Sequence, residues 1–282
     1  MKSDLGISNF KPQKIKTSST GTLPYCILNN MISVIVCSRT DPADSIHERN
    51  LRKTAGTDIE YIRIDNRDNR YNLSSAYNYG VSLARGTILV FMHEDAFFME
   101  GNWALVLEKK FAKEEVGLIG IAGTQFLFAD NPGWVVAGRP YIRGHVIHEL
   151  NNGETYTLTV FNWEHQDSSV VAVDGLFFAV RASLFTSVRF DDTVFDGFHF
   201  YDIDICMQIR RTHQLLVTWD LLIKHQSGGS FDDNWKKYAY RFCKKYQHEL
   251  PAATVSTTPD PSRRISFENF DLKGKAPQIT IQ

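Results

Sequence analysis

The chain has 282 residues, of which 43% are hydrophobic and 22% are charged, and this composition excludes wholesale disorder. Its 31 basic and 32 acidic side chains leave a formal charge of −1, which excludes a protein whose main role is to coat nucleic acid or anionic membrane. The four cysteines form no CxxC pair, and no run approaches the ~20 apolar residues of a membrane helix. We therefore expect a cytoplasmic protein without a transmembrane segment, compatible with peripheral association at the inner face of the membrane.

Residues 1–30 are a polar flank without sustained periodicity and without the apolar segment of a secretory signal. From residue 31 to residue 121, β-branched runs alternate with amphipathic segments, which predicts an α/β domain with a mainly parallel sheet flanked by helices. Gly86 is placed to end the second helix as a C-cap. The predicted strands are Met31–Cys37, Ile59–Ile64, Thr87–Met92 and Val116–Ile121, and the predicted helices are Ala43–Ala55, Asn72–Ala84 and Glu100–Lys113.

Ligands of parallel α/β sheets bind beyond the carboxyl ends of the strands. Polar side chains collect at these ends, so the sequence predicts a ligand site along this edge of the sheet. These residues are Ser38, Arg39, Asp65, Asn66, His93, Glu94 and Asp95.

The pattern changes after Gly123, where residues 123–168 predict a long excursion with hairpin character. Asp174-Gly175 lies between two short strands and suits a tight turn or bulge. Residues 251–282 contain four prolines and predict a poorly packed tail. The remaining predicted elements are a helix at Tyr201–Arg211, a strand at Leu215–His225 and a helix at Phe231–Leu250.

Several common sites are missing from the sequence. No GxxxxGK[ST] loop and no GxGxxG loop opens the first helix, and no GxSxG segment is present. Ordinary P-loop, dinucleotide-binding and serine-hydrolase interpretations are therefore excluded. Acidic and histidine side chains at strand ends remain as the candidates for chemistry.

The first half contains the motifs SVIVCSRT (Ser33–Thr40), Asp65-Asn66 and LVFMHED (Leu89–Asp95). Between the last two lies a helical segment marked by Asn72, Asn78, Gly80 and Gly86. The second half contains Val173-Asp174-Gly175, FHFYDIDIC (Phe198–Cys206) and His225-Gln-Ser-Gly-Gly-Ser. In this order and spacing, the motifs resemble family 2 glycosyltransferases over about residues 31–245. The resemblance implies an α/β GT-A fold, a nucleoside-diphosphate sugar as donor, a divalent metal and inversion at the anomeric carbon.

The resemblance also implies an organisation of the chain. Residues 31–250 would be the GT-A domain, with a nucleotide-binding half at 31–121 and an acceptor and catalytic half at 122–250. The donor would be a UDP-sugar by preference, and the acceptor a saccharide or a lipid-linked saccharide in cell-surface glycan synthesis. The identities of the sugar and the acceptor stay open.

Metal ligation is expected at Asp95 and His225, with Mn²⁺ or Mg²⁺ as the cofactor. Breaking the bond to a sugar diphosphate puts more negative charge on the leaving phosphate, and a divalent cation held by carboxylate oxygen stabilises that charge. The family usually has an aspartate where this chain has His93, which leaves the role of His93 open. By resemblance, the nucleotide would contact Asp65, with Ser38 and Arg39 beside it. Asn66 and Glu94 are further candidate contacts at the strand ends, and the basic residue Arg70 is a candidate neighbour of the phosphates.

Asp202 is the expected catalytic base, because an inverting displacement needs a carboxylate to take the proton from the acceptor hydroxyl. Asp204 points elsewhere on the predicted helix and is better explained as an acid that favours the helix start. Asp174, Gly175 and Tyr201 are the expected contacts to the sugar or the acceptor.

Two alternatives stay open from the sequence. A sugar nucleotidyltransferase would want a glycine-rich basic loop after the first strand, and the segment from Cys37 to Pro42 has no glycine. A non-catalytic nucleotide-sugar or glycan-binding relative would have lost its acids, yet Asp65, Asp95 and Asp202 are all present.

Overall fold

The structure, a computed structural model, describes residues 31–43, 46–149, 153–161, 165–226 and 232–265. The predicted N-terminal flank, the Ser-Gly-Gly-Ser segment at 227–230 and residues 266–282 of the predicted tail lie outside these ranges. No helix in the ranges described is long and apolar enough to cross a membrane.

The described residues form fifteen strands and five α-helices. The strands are β1 (Ile32–Ser38), β2 (Ile59–Asp65), β3 (Ile88–Met92), β4 (Ala96–Phe98), β5 (Val116–Gly120), β6 (Ala122–Thr124), β7 (Phe126–Leu127), β8 (Ile142–Glu149), β9 (Thr155–Val160), β10 (Ser168–Val170), β11 (Ala172–Val173), β12 (Phe177–Arg181), β13 (Gln214–Val217), β14 (Ile223–His225) and β15 (Ala252–Ala253). The helices are α1 (Ile46–Ala55), α2 (Leu73–Leu83), α3 (Trp103–Phe111), α4 (Tyr201–Ile209) and α5 (Asp233–Lys245), and short 3₁₀ helices lie at Ala182–Thr186 and Pro261–Arg263.

The central sheet has the strand order β10-β13-β5-β12-β3-β1-β2. Strands β2, β1 and β3 run parallel, as the alternation of strands and helices predicts. Strand β12 is antiparallel to both of its neighbours, β3 and β5, and β10 is antiparallel to β13. The sheet is therefore mixed, and the prediction of a mainly parallel sheet is wrong in this detail.

A second sheet has the order β11-β6-β8-β14-β4, and β9 pairs with β8 as the predicted hairpin. The single strand predicted at Leu215–His225 is in fact two strands, because β13 belongs to the central sheet and β14 to the second sheet. Asp174-Gly175 likewise connects β11 in the second sheet to β12 in the central sheet rather than closing a hairpin. These two crossovers bring the ends of both sheets together.

The central sheet is covered on both faces, which explains its continuous hydrophobic runs. Ile35 and Phe91 pack in a core cluster with residues of α2, α4 and α5. The alternating residues Val34 and Val90 pack in the cluster that contains residues of α1 and α3. Every residue of β3 is buried, and this leaves the polar residues that follow it, from His93, as the first to reach the sheet edge.

The sequence predicted that Gly86 caps helix α2, and this prediction is wrong. The helix ends at Leu83, and the cap N–H of Ala84 donates to the carbonyl of Gly80. A Cβ at Gly86 would lie 2.5 Å from the carbonyl oxygen of Met31, so glycine is needed for the close approach of this turn to β1.

Part of the predicted C-terminal tail is packed. Strand β15 pairs with β7, and the guanidinium of Arg264 lies 3.7 Å from the ring centroid of Phe128. The same guanidinium donates to Asp130 at 2.7 Å. Residues 252–265 therefore contact the segment after β7, contrary to the poor packing that the prolines suggested.

Candidate active site

A cavity of about 620 Å³ opens at the carboxyl ends of β1 and β3, where the topology predicted a ligand site. Its volume is in the range of small-molecule and cofactor pockets. The residues that line it include four that were predicted at this edge, namely Arg39, His93, Glu94 and Asp95. The other described lining residues were not predicted. The latter are Cys37, Thr40, Ile46, His47, Leu73, Tyr77, Phe97, Phe198 and Gln226.

The carboxyl end of β2 lies beside that of β1, and the register pairs Ser38 with Asp65. Asp65 is exposed, and its carboxylate accepts hydrogen bonds from the guanidinium of Arg67. The shortest of these joins Nη2 of Arg67 to Oδ2 of Asp65 at 2.7 Å. Hydrogen bonding by the Arg67 side chain, then by its backbone N–H, lowers the pKa of Asp65 to about 2. Asp65 is thus ionised at neutral pH, and it is not among the described residues that line the cavity.

Glu94 holds the loop that follows β1. Its carboxylate accepts hydrogen bonds from the Ser38 hydroxyl, from the backbone N–H of Arg39 at 2.9 Å and from the Thr40 hydroxyl at 2.9 Å. Burial alone would raise the pKa of Glu94, but these bonds outweigh it and leave the pKa below its usual value. Both carboxylate oxygens are therefore engaged by the protein, and Glu94 shapes the loop whose neighbouring residues line the cavity.

Asn66 and Arg70 have different surroundings from those that the sequence suggested. Asn66 is fully buried, donates to the carbonyl of Tyr71 and accepts from the Tyr71 N–H, each at 2.9 Å. It therefore holds the loop between β2 and α2. Arg70 is exposed, 4.0 Å from Asp68, and is not among the described residues that line the cavity.

His93, Asp95 and His225 form a cluster whose ligand atoms all lie within 4.8 Å of one another. Nε2 of His225 is 3.4 Å from Oδ1 of Asp95 and 3.4 Å from Nδ1 of His93. The antiparallel pairing of β14 with β4 creates the cluster, because it sets His225 opposite Ala96, next to Asp95. Two imidazoles and a carboxylate are a donor set that fits Mn²⁺, whereas Mg²⁺ prefers oxygen ligands alone.

Tyr201 orients His93 within this cluster. The buried Tyr201 hydroxyl donates to the carbonyl of Gly175 at 3.0 Å and lies 3.0 Å from Nε2 of His93. Because the hydroxyl proton is engaged by Gly175, the oxygen accepts from Nε2–H of His93, and this fixes the tautomer whose Nδ1 lone pair faces the cluster. Burial and the neighbouring His225 lower the pKa of His93, so the ring stays neutral as a metal ligand must.

Asp202 is the second residue of helix α4 and directly follows Tyr201. Burial, with the nearby charge of Asp174, raises the pKa of Asp202 to about 7, although backbone hydrogen bonds including one from Gly175 oppose the rise. A Cβ at Gly175 would lie 2.0 Å from the Tyr201 hydroxyl and 3.0 Å from Oδ2 of Asp202, so only glycine fits there. A carboxyl group with a pKa near 7 is well matched to taking a proton at neutral pH.

Asp204 lies away from this site. It is fully buried and accepts hydrogen bonds from Lys245 at 2.6 Å, from Tyr246 at 2.7 Å and from Gln208 at 2.8 Å. The prediction that Asp204 points away from Asp202 agrees with these contacts. Its partners lie on α4 and α5 or directly after α5, so Asp204 joins these two helices.

Two further residues near the cavity, Arg63 and Phe198, were not identified from the sequence. Arg63 on β2 donates to the backbone carbonyl of Thr40 and so supports the β1 loop. The guanidinium of Arg39 lies 4.7 Å from the ring centroid of Phe198, which is 43% exposed at the cavity. No local signal separates Phe198 from Phe195 and Phe200 in the same segment, which are buried in the core.

The sequence matches the glycosyltransferase-like family over residues 33–246. The match spans more than half of the chain, which therefore belongs to this family. Its mixed α/β architecture is the GT-A fold, and the family supports glycosyl transfer from a nucleotide sugar as the general activity. No curated protein sequence shows a significant match to the chain.

Solved structures provide more distant similarities. GalNAc-T7, determined with UDP, GalNAc and Mn²⁺, is 12% identical, with a TM-score of 0.47 over 70% of this chain and 44% of that chain. A mannosyltransferase from Pyrobaculum calidifontis, PcManGT, in complex with GDP-Man and Mn²⁺, is 12% identical, with a TM-score of 0.47 over 82% of this chain and 66% of that chain. Protein A197 from STIV is 12% identical, with a TM-score of 0.40 over 72% and 97%. This chain thus spans less than half the length of the GalNAc-T7 chain.

Proposed function

We propose that the protein is an inverting, metal-dependent glycosyltransferase that moves a sugar from a nucleoside diphosphate to a hydroxyl acceptor. A UDP-sugar is the favoured donor, and a saccharide or lipid-linked saccharide of cell-surface polysaccharide biosynthesis is the favoured acceptor. The cytoplasm is the expected location. The observation that carries this proposal is the arrangement of Asp202 beside Tyr201, whose hydroxyl contacts the His93–Asp95–His225 cluster.

Each group has a defined task in the reaction. His93, Asp95 and His225 would hold a divalent cation, Mn²⁺ before Mg²⁺, which when bound supplies charge neutralisation at the diphosphate. Arg39 lies at the same cavity and adds positive charge on the nucleotide side. Asp65, at the adjoining strand end, would accept hydrogen bonds from the nucleoside.

Asp202 takes the proton of the acceptor hydroxyl as the acceptor oxygen forms its bond to the anomeric carbon. The bond from that carbon to the phosphate oxygen breaks, and the electron pair leaves with the nucleoside diphosphate. One displacement inverts the configuration once. The raised pKa of Asp202 supports this role, because a stronger base takes a proton more readily than an ordinary carboxylate.

Calorimetric titration with UDP and with GDP, in Mn²⁺ and in chelator, tests the metal and nucleotide parts of the proposal. We expect the wild type to bind one nucleotide about 10–100-fold more tightly with Mn²⁺, and Asp95→Ala to lose this difference. Asp58→Ala is the matched control, because Asp58 is exposed and directly precedes β2 at the opposite edge of the sheet. Equal affinity with Mn²⁺ and with chelator in the wild type would contradict metal dependence.

Product configuration tests the reaction. Incubation with UDP- and GDP-sugars and a panel of acceptors should give a glycoside whose anomeric proton signals show the configuration opposite to that of the donor. Retention of configuration would contradict the single displacement while leaving the fold assignment intact.

A further inference from the structure

A row of rings extends from the cluster across the second sheet. The register pairs His225 on β14 with His148 on β8, and His148 with Tyr156 on β9. The ring centroids of His225 and His148 are 5.7 Å apart, and those of His148 and Tyr156 are 5.0 Å apart with the rings nearly parallel. His93 continues the row on the other side, 5.4 Å from His225.

The neighbouring row on the same face of the sheet is aliphatic. It consists of Ile223, Val146 and Leu158, and the first two are fully buried. Along β9, Val160 is buried whereas Leu158 and Tyr156 are half-buried, and the alternating threonines face solvent. Tyr156 is therefore a half-buried ring two strands away from His225 on the same face of the sheet, with one ring face against His148.

Asp174 connects this ring to the catalytic side of the site. Burial, and then the charge of Asp174, raises the pKa of Tyr156 to about 12, and the same Asp174 charge acts on Asp202. Asp174 itself is anchored, because its Oδ1 accepts from the backbone N–H of Leu176 at 2.8 Å. An aromatic ring and a fixed carboxylate thus lie within electrostatic reach of each other and of the base.

We propose that Tyr156 is the platform of the acceptor subsite and that the acceptor is a pyranose sugar. The Tyr156 ring would take the apolar C–H face of the sugar, and Asp174 would accept a hydrogen bond from one of its hydroxyls. Among the described strands β9 pairs only with β8, so the platform lies on an edge strand of the sheet that carries His225. The inference rests on the proposed function, which already names a saccharide acceptor, and adds to it the residue that would bind one of the acceptor's sugar rings.

The experiment compares Tyr156→Ala, Tyr156→Phe and the control Tyr79→Ala with the wild type. Tyr79 is a matched control because it also stacks on an aromatic ring, that of Tyr71, and is 46% exposed on helix α2. The probes are UDP- and GDP-sugars as donors, with free glucose, galactose, mannose and N-acetylglucosamine as acceptors. The readouts are acceptor KM, donor Kd by calorimetry and release of free sugar by hydrolysis.

We expect Tyr156→Ala to raise the acceptor KM about tenfold with donor Kd within about twofold, while Tyr156→Phe and Tyr79→Ala stay near the wild type. Equal losses in Tyr156→Ala and Tyr156→Phe would overturn the platform, because the hydroxyl rather than the ring would then bind. An unchanged acceptor KM in Tyr156→Ala would overturn it as well. A wild type that hydrolyses donor but transfers to no sugar would overturn the pyranose acceptor alone, and a wild type that does neither would contradict the proposed function.

Discussion

The phenolic oxygen of Tyr201 lies 3.0 Å from Nε2 of His93 and so ties the start of helix α4 to the metal-ligand cluster. The residue that follows Tyr201 is Asp202, the proposed base. One short helix start therefore positions both the base and a cluster ligand. A disturbance at Tyr201 should affect cation affinity first, because the tautomer of His93 depends on this hydroxyl.

Tyr201→Phe removes the hydroxyl and keeps the ring. We expect Mn²⁺ affinity to fall about 10–100-fold, since outer partners of ligating histidines contribute about that much. Mn²⁺ binding measured by electron paramagnetic resonance provides a readout that does not require activity. Tyr238→Phe is the matched control, because that hydroxyl donates to Asp196 at 2.8 Å, outside the cluster. Undiminished Mn²⁺ affinity in Tyr201→Phe would show that His93 needs no orienting partner.

Asp202→Asn should affect catalysis, whereas Asp204→Asn should affect thermal stability. The first should lower kcat about 10²–10⁴-fold with little change in donor Kd, because proton removal matters only in the transition state. The second should lower thermal stability, because the buried Asp204 accepts hydrogen bonds from Lys245, Tyr246 and Gln208, and the amide nitrogen of asparagine cannot accept them. Here Lys245 loses the charge of Asp204 and keeps that of Asp191. Near-wild-type kcat in Asp202→Asn would mean that another carboxylate is the base.

These two aspartates show which features of the site could be predicted from the sequence and which could not. Helical spacing correctly separated the directions of Asp202 and Asp204, because that relation is local. The ion pair of Asp204 with Lys245 could not be predicted, since it depends on how α5 packs against α4. The role of Tyr201 was also missed, because nothing in its local pattern indicates that its hydroxyl meets His93.

The two halves of the cluster illustrate the same limit. The strand-end position of Asp95 follows from the hydrophobic run before it, which is a local signal. His225 was connected to Asp95 only through the family resemblance, because β14 has three residues and too little periodicity to predict its pairing. For the same reason, the sequence could not predict that β13 and β14 belong to different sheets. Short strands are specified by contacts that are distant in the sequence.

Asp65→Ala should weaken nucleotide binding by about tenfold, because charge-assisted hydrogen bonds to the ligand would be lost. The Asp65 carboxylate pairs with Arg67, so the companion variant Arg67→Ala separates a contact by Asp65 from a contact by its partner. Calorimetry with UDP and GDP measures both variants. Unchanged nucleotide affinity in Asp65→Ala would leave the residue as a turn-forming acid.

The pH dependence of stability gives a test of Asp202 that needs no substrate. Its pKa in the folded protein is about 7, above the value of about 3.9 expected when the chain is unfolded. Below pH 4 both states hold the proton, so Asp202 has no pH-dependent effect on the free energy of unfolding. As the pH rises towards 7, the unfolded chain releases its proton first, and the wild type loses stability relative to Asp202→Asn.

Thermal unfolding in chelator should therefore show a difference in Tm between Asp202→Asn and the wild type that grows from pH 4 to pH 7 and then levels off. Because the fold keeps this carboxyl poorly solvated, the variant should be the more stable protein at pH 8, by a few degrees. The same titration should appear in kcat/KM of the wild type, which should rise as Asp202 ionises and becomes able to accept a proton. A Tm difference that is constant with pH would show that Asp202 has an ordinary pKa, and would remove the pKa argument for its role as the base.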